Sequence, residues 1–196
     1  MKKSLIVLIS ILALLVIIIG YGISINNKMV NADEAVMSQW AKVENQYQRR
    51  ADLIPNLVNT VKGYASHEKE TLDAVVNARA KATQVTISPD NLNEVSLQKY
   101  QAAQGELSQA LGRLLMVTEN YPDLKANQNF LELQAQLEGT ENRISTERTR
   151  YTDMVRDYNA MIRRFPASII AGIGGFDKKP QFTAEAGAEK APEVKF

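Results

Sequence analysis

The run Leu5–Ile25 limits what this chain can become more than any other stretch. It carries no charge and is interrupted only by Ser10, Ser24 and Gly20-Tyr21-Gly22. A helix of about 20 such residues crosses the roughly 30 Å hydrocarbon core of a bilayer. Everything downstream is charged and amphipathic, so the expected architecture is a water-facing body on a membrane tether. A cleaved secretory signal is the competing reading, since Lys2 and Lys3 form a basic start and Val30-Asn31-Ala32 resembles a small-residue cleavage site. Signal cores run about 7–15 residues; this one is longer, and Ala32 lies well past its end. Length favours the retained anchor, and cleavage after Ala32 stays open. The lysine bias of Lys2 and Lys3 over Lys28 and Lys42 weakly places the body on the outer face.

The chain of 196 residues leaves about 140 for a folded body, enough for one core. Its 23 basic and 22 acidic residues balance to a formal +1, which argues against a nucleic-acid partner. With no cysteine, disulfides, thiolate metal sites and a lipidated cysteine after the apolar run are excluded. The body is rich in Ala, Leu, Glu, Gln, Asn and Arg, a helical composition.

From Asp33 a 4–3 spacing begins: Val36, Trp40, Val43, Tyr47, Arg50, Ile54, Leu57, Val61, Tyr64. Arg50 is its one charged member, so one seam of a long helix faces partners. Pro55 predicts a kink there, or a fresh helix start capped by Asp52. A turn over Gly63–His67, with Ser66 as the cap, leads to a short helix at about 67–83 touching its neighbours through Leu72, Val75 and Val76. Ser88-Pro89-Asp90-Asn91 marks an irregular connection. The third helix, about 93–120, carries Leu97, Tyr100, Gln104, Leu107, Leu111, Leu114, Thr118 and Tyr121, and stops before Pro122. The fourth, about 124–165, carries Phe130, Leu133, Leu137, Thr140, Ile144, Glu147, Tyr151, Met154, Tyr158, Met161 and Phe165, and ends at Pro166.

The expected fold is therefore all-α: an N-terminal transmembrane helix followed by an antiparallel up-and-down bundle of about four helices. Its divisions are a basic start at 1–4, the anchor at 5–25, the bundle at 28–166, an apolar Gly-rich segment at 167–176 and a mobile tail at 177–196. In an antiparallel alignment Arg50 falls level with Thr140–Ile144. Glu141 is then its best partner and Glu138 the next, against a snorkelling Arg50 with its head in water. Ile169, Ile170, Ile173 and Phe176 follow the last seam with nowhere to pack. They either meet the bilayer interface, with Lys178 and Lys179 at the head groups, or cover the open end of the bundle.

The block Gln46-Tyr47-Gln48-Arg49-Arg50-Ala51-Asp52-Leu53-Ile54-Pro55-Asn56-Leu57-Val58 resembles the LemA family. The resemblance continues through Lys62-Gly63-Tyr64-Ala65-Ser66-His67-Glu68, Ala78-Arg79-Ala80 and Tyr121-Pro122-Asp123-Leu124-Lys125-Ala126. Leu133-Gln134, Glu138-Gly139-Thr140-Glu141-Asn142-Arg143-Ile144, Tyr158-Asn159 and Phe165-Pro166 complete it, so it covers nearly everything from the anchor to about Phe176. It implies a bacterial membrane protein with one N-terminal helix, an antiparallel helical bundle and no established activity or catalytic residues. It also implies a short extracellular N-terminus, opposite to the lysine bias, so the side of the body stays open.

No chemistry stands out against ordinary surface and core. His67-Glu68 lacks the second histidine of a zinc protease motif, and His67 is the sole histidine, which leaves it as a solvated residue beside a turn. Gly172-Ile173-Gly174-Gly175 lacks the lysine and following helix of a phosphate loop and reads as flexibility. Glu68 and Glu70 point to different helix faces. Trp40, Tyr47, Tyr151 and Tyr158 lie at core spacing. No catalytic, cofactor or metal residues are assigned. The functional expectation is a non-enzymatic scaffold or adaptor in the cell envelope with a protein partner; the alternative is an accessory or substrate-presenting subunit of a membrane enzyme such as a protease.

Overall fold

The computed structural model describes residues 2–88 and 91–183. Among the described residues there are six α-helices and no strand: α1 (Lys2–Tyr64), α2 (Lys69–Gln84), α3 (Glu94–Thr118), α4 (Pro122–Lys125), α5 (Gln128–Arg163) and α6 (Ala167–Gly174). The chain divides into two compact units. One comprises Met1–Leu53 and Gln134–Lys179, the other Ile54–Leu133 and Pro180–Phe196.

In the first unit the apolar run and the first seam belong to one helix. No break occurs at Asn26-Asn27, and the helix also continues through Pro55, where the sequence predicts a kink or a new start. A single proline removes one backbone donor, and packing on either side outweighs that loss. Met29, Val36, Trp40, Val43, Tyr47, Arg50 and Ala51 are buried along this part of α1. They face Leu137, Thr140, Ile144, Tyr151, Val155, Tyr158 and Ile162, the buried residues of α5 within this unit. Arg50 meets Glu141 while Trp40 meets Tyr151, so the two helices run antiparallel.

The α5 seam departs from its expected phase after Tyr151. Val155 and Ile162 are buried, whereas Met154 is exposed and Phe165 is 82% exposed. Both phases place apolar residues three and four apart, and the surface that α5 meets selects between them.

In the second unit α2 and α3 form an antiparallel hairpin. Lys81 Nζ lies 3.1 Å from Glu106 Oε2, and Gln104 Nε2 donates to the Ala82 carbonyl at 3.4 Å. Leu72, Val75, Ala78 and Ala82 of α2 are buried, with Leu97, Tyr100, Leu107, Leu111 and Leu114 of α3; Val76 is exposed. Asn93 starts α3 with a reciprocal cap: its Oδ1 accepts from the Ser96 backbone N–H, while Ser96 Oγ accepts from the Asn93 N–H. The N-cap of α2 is Glu68 rather than Ser66, and its side chain makes no capping bond. That carboxylate instead accepts from the Tyr121 hydroxyl at 2.9 Å, trading a local cap for a link to the α3–α4 corner.

The expected fourth helix is two helices, α4 and α5. The Asn127 side chain accepts from the Phe130 N–H at 3.0 Å and donates to the Tyr64 hydroxyl at 2.9 Å, so it caps α5 and ties it to the end of α1.

The expected mobile tail begins with a fixed segment. The Lys179 N–H donates to Asn159 Oδ1 at 3.0 Å, Asn159 Nδ2 returns a bond to the Lys179 carbonyl at 2.9 Å, and Lys179 Nζ lies 2.9 Å from Asp33. Residues 177–183 also contain the Thr183 carbonyl, which accepts from Gln101 Nε2 at 3.1 Å. The rest of that expectation, 184–196, lies outside the described residues, as do Pro89 and Asp90.

Candidate functional site

Two features of the first unit exceed what a helix pair needs: a polar and aromatic seam inside it, and an apolar face left outside it. The seam is built by the 4–3 spacing of α1 against the antiparallel α5. Trp40 and Tyr151 meet edge-on, with ring centroids 5.5 Å apart and planes at 62°. Such a geometry places the positive edge of one ring on the negative face of the other. Next to Trp40 on α1, Gln39 Nε2 donates to the Glu147 carboxylate at 2.6 Å and to its carbonyl at 3.2 Å. Glu147 is shared with Arg150, whose Nη1 lies 2.8 Å away.

Arg50 is 1% exposed and its Nη1 donates to Glu141 Oε1 at 2.6 Å; Glu141 itself is 45% exposed. The guanidinium carbon also sits 5.1 Å from the centre of the Tyr47 ring one turn earlier on α1. A snorkelling Arg50 is not what this geometry shows, since the charged head is inside and only the carboxylate reaches water. Glu138, the second candidate partner, is exposed.

At the other end of the seam, Asp33 meets Lys179 and the hydroxyl of the buried Tyr158. Burial, and then the carboxylates of Asp33 and Asp177, push the Tyr158 hydroxyl up to about 12. Burial alone raises Tyr151. Both hydroxyls stay protonated at physiological pH. They are packing groups with one polar atom, not acids or bases poised for proton transfer.

The outer feature is α6 together with the apolar run of α1. Leu5 through Ile23 present their large side chains outward over the whole circumference of the helix. Ile170 and Gly174 of α6 approach this helix: Ile170 Cδ1 lies 3.9 Å from where a Cβ on Gly22 would stand, and Asn26 Oδ1 lies 3.5 Å from the equivalent point on Gly174. Ile169, at 55% exposure, and Ile173, at 84%, face outward, with Phe165 just ahead of them. Burying such side chains stabilises by about 1.5–3 kcal/mol each. Ile170 and Phe176 are half-buried, Lys178 is exposed and Lys179 is taken up by Asp33.

The glycines after Ile173 close this helix. Gly175 has φ 71°, and both its N–H and that of Phe176 donate to the Ala171 carbonyl. That is the left-handed glycine ending that seals helix C-termini, and it brings the Phe176 ring back over Gly174. The apolar spacing at 169, 170 and 173 signals a helix, but its brevity and three glycines mask it.

Elsewhere, an open hollow in the second unit is lined by His67, Lys69, Glu70, Asp73, Ala74 and Asn77. Among the described residues no group of three His, Asp or Glu side chains is placed to hold a metal ion.

A protein-family model, described as the LemA family, matches residues 39–196. The chain belongs to the LemA family. Relatives include Protein LemA of Metamycoplasma hominis, 21% identical over 145 residues, covering 74% of this chain and 63% of that protein. Magnetosome protein MamQ 1 and MamQ 2 of Paramagnetospirillum magneticum are each 24% identical over 185 residues, covering 86% of this chain and 68% of theirs. Magnetosome protein MamQ of Magnetospirillum gryphiswaldense is 23% identical over the same coverage. The family match covers Trp40, Tyr47, Arg50, Glu141, Tyr151, Tyr158 and all of α6, and starts beyond the apolar run. With one helix among the described residues long and apolar enough to cross a bilayer, this LemA-family chain is a membrane-associated helical-bundle protein.

Proposed function

We propose that this protein is a membrane-tethered, non-enzymatic scaffold or adaptor of the bacterial cell envelope, held by a single retained anchor and acting through a protein partner. The observation that carries the reading is the continuity of α1. The same helix is apolar and outward-facing on every side up to Ile23, then buried along one seam from Met29 onward. No flexible joint intervenes, so the bundle is presented at a fixed distance from the bilayer, as suits a platform. The interior supports it too: Gln39, Arg50 and Lys179 are each paired with a carboxylate in a way that serves packing. The lysine bias weakly favours the outer face.

The test is crosslinking in native membranes, followed by solubilisation and pull-down of the full chain. The expected result is one or more envelope proteins whose own activity survives deletion of this chain. Recovery of a single stoichiometric membrane enzyme whose turnover depends on the chain would replace the scaffold with an accessory subunit. Release of the protein by an alkaline wash would remove the retained anchor.

A further inference from the structure

We infer that α6, with Phe165 before it, lies in the bilayer interface on the side where the bundle emerges, giving the protein a second membrane contact beside its anchor. The inference rests on the retained anchor of the proposed function. Its basis is the level at which α6 meets α1. Ile170 stands beside Gly22, inside the uncharged run that ends at Ile25, and Gly174 stands beside Asn26, one turn further on. If the run to Ile25 occupies the hydrocarbon, a helix packed against Gly22 cannot remain in bulk water. α6 therefore climbs from the edge of the hydrocarbon toward the head groups as it passes from Ile170 to Gly174.

The side chains fit that position. Ile169 and Ile173 of α6 and Phe165 just ahead of it are exposed, as are the large side chains of α1 up to Ile23, beside which Ile170 packs. The backbone suits it as well, because the Ser168 and Ile169 N–H groups at the start of α6 donate to the Arg164 and Pro166 carbonyls, so these donors are not left open for desolvation. Lys28, Arg163, Arg164 and Lys178, all exposed, flank the patch where head-group phosphates would lie. Among the described residues of this region Asp177 and Glu34 are exposed carboxylates, while Asp33 is engaged by Lys179. The balance is cationic, which matches the anionic leaflet of a bacterial membrane.

The absence of native cysteine makes the test direct. Single spin labels are placed on the full chain through Leu15→Cys, Ile169→Cys, Ile173→Cys and Val76→Cys, each at an exposed position. The labelled proteins are reconstituted in nanodiscs of phosphatidylethanolamine and phosphatidylglycerol, and collision with oxygen is compared with collision with a water-soluble nickel chelate. The expected order of the oxygen-to-nickel ratio is 15, then 169, then 173, with 169 several-fold above the aqueous value at 76. A lipid-exposed 15 with 169 and 173 both at the value of 76 would overturn the α6 contact and leave the anchor standing. An aqueous 15 would overturn both readings. Shielding of 169 and 173 from both reagents, with spin–spin broadening, would assign the face to a second copy of the chain and overturn the lipid contact.

Discussion

Two stretches of one helix, Leu5–Ile23 and Met29–Ala51 of α1, use apolar residues in opposite ways. In the first, large side chains point in every direction and all are exposed; in the second, Met29, Val36, Trp40, Val43 and Tyr47 line one buried face while Val30 stays outside. The backbone is the same uninterrupted helix in both. What changes is the width of the apolar surface. A surface that runs all the way round cannot be satisfied by one neighbouring helix and calls for an apolar solvent, whereas a stripe is satisfied by one partner with a matching stripe. The second stretch can then admit Gln39 and Arg50 to its interior, because α5 supplies Glu147 and Glu141 opposite them. A lipid tail supplies no such partner.

The sharpest way to break this contrast is to damage each stretch and read both outputs. Trp40→Ala removes the largest side chain of the buried stripe and is expected to cost about 3–5 kcal/mol of bundle stability, read by denaturant melts, while membrane retention is unchanged. Leu15→Arg should do the reverse, costing about 3 kcal/mol at the centre of a spanning helix and lowering the membrane-integrated fraction without moving the bundle melt. If Leu15→Arg destabilised the bundle as strongly as Trp40→Ala, the two stretches would not be distinct.

The Arg50 pair refines the comparison at intermediate size. Glu141→Gln leaves a buried guanidinium facing a neutral, half-exposed amide, and about 1–2 kcal/mol should be lost. Arg50→Met, which replaces the charge with an apolar side chain of similar length, should lose less than Arg50→Ala, measured by the same melts. Equal melts for wild type, Arg50→Ala and Glu141→Gln would show that the pair contributes nothing.

Tyr158 gives the pH arm. Its hydroxyl is held near 12 in the folded chain against 10.0 for an open tyrosine, so the folded state binds the proton more tightly. Its contribution is complete below pH 10 and drains away as pH rises toward 12, at about 1.4 kcal/mol per pH unit at most. Tyr158→Phe should flatten that alkaline loss in melts at pH 9 and pH 11. Tyr151, also raised by burial, should keep part of the slope.

Much of the fold is legible in the linear pattern because helix seams are local. The positions from Val36 to Val61 share one face through 3.6-residue geometry alone, and each is buried. Pro122 and Asn127 punctuate α4 and α5 through their own backbone and side-chain bonding, yet the apolar spacing alone predicts one helix over about 124–165. The candidate site divides the same way. Arg50 is visible as a charge within an apolar stripe, and counting along antiparallel helices brings Glu141 level with it. Phe165 is not visible as an outward residue, because Met154, Met161 and Phe165 make as good a stripe as Val155 and Ile162.

By itself, then, the sequence determined that this protein is all-helical, where its apolar span lies, and which face of α1 turns inward. Those properties follow from hydrophobicity and period within one segment. Only the tertiary structure decided the phase of α5 beyond Tyr151, the folding of 167–174 into a helix against Gly22 and Asn26, and the pinning of Lys179 by Asn159 and Asp33. Each of these is a choice between nearly equal local alternatives. The deciding free energy comes from residues more than a hundred positions away in the chain, or from a hydrogen-bonding side chain that no periodicity announces.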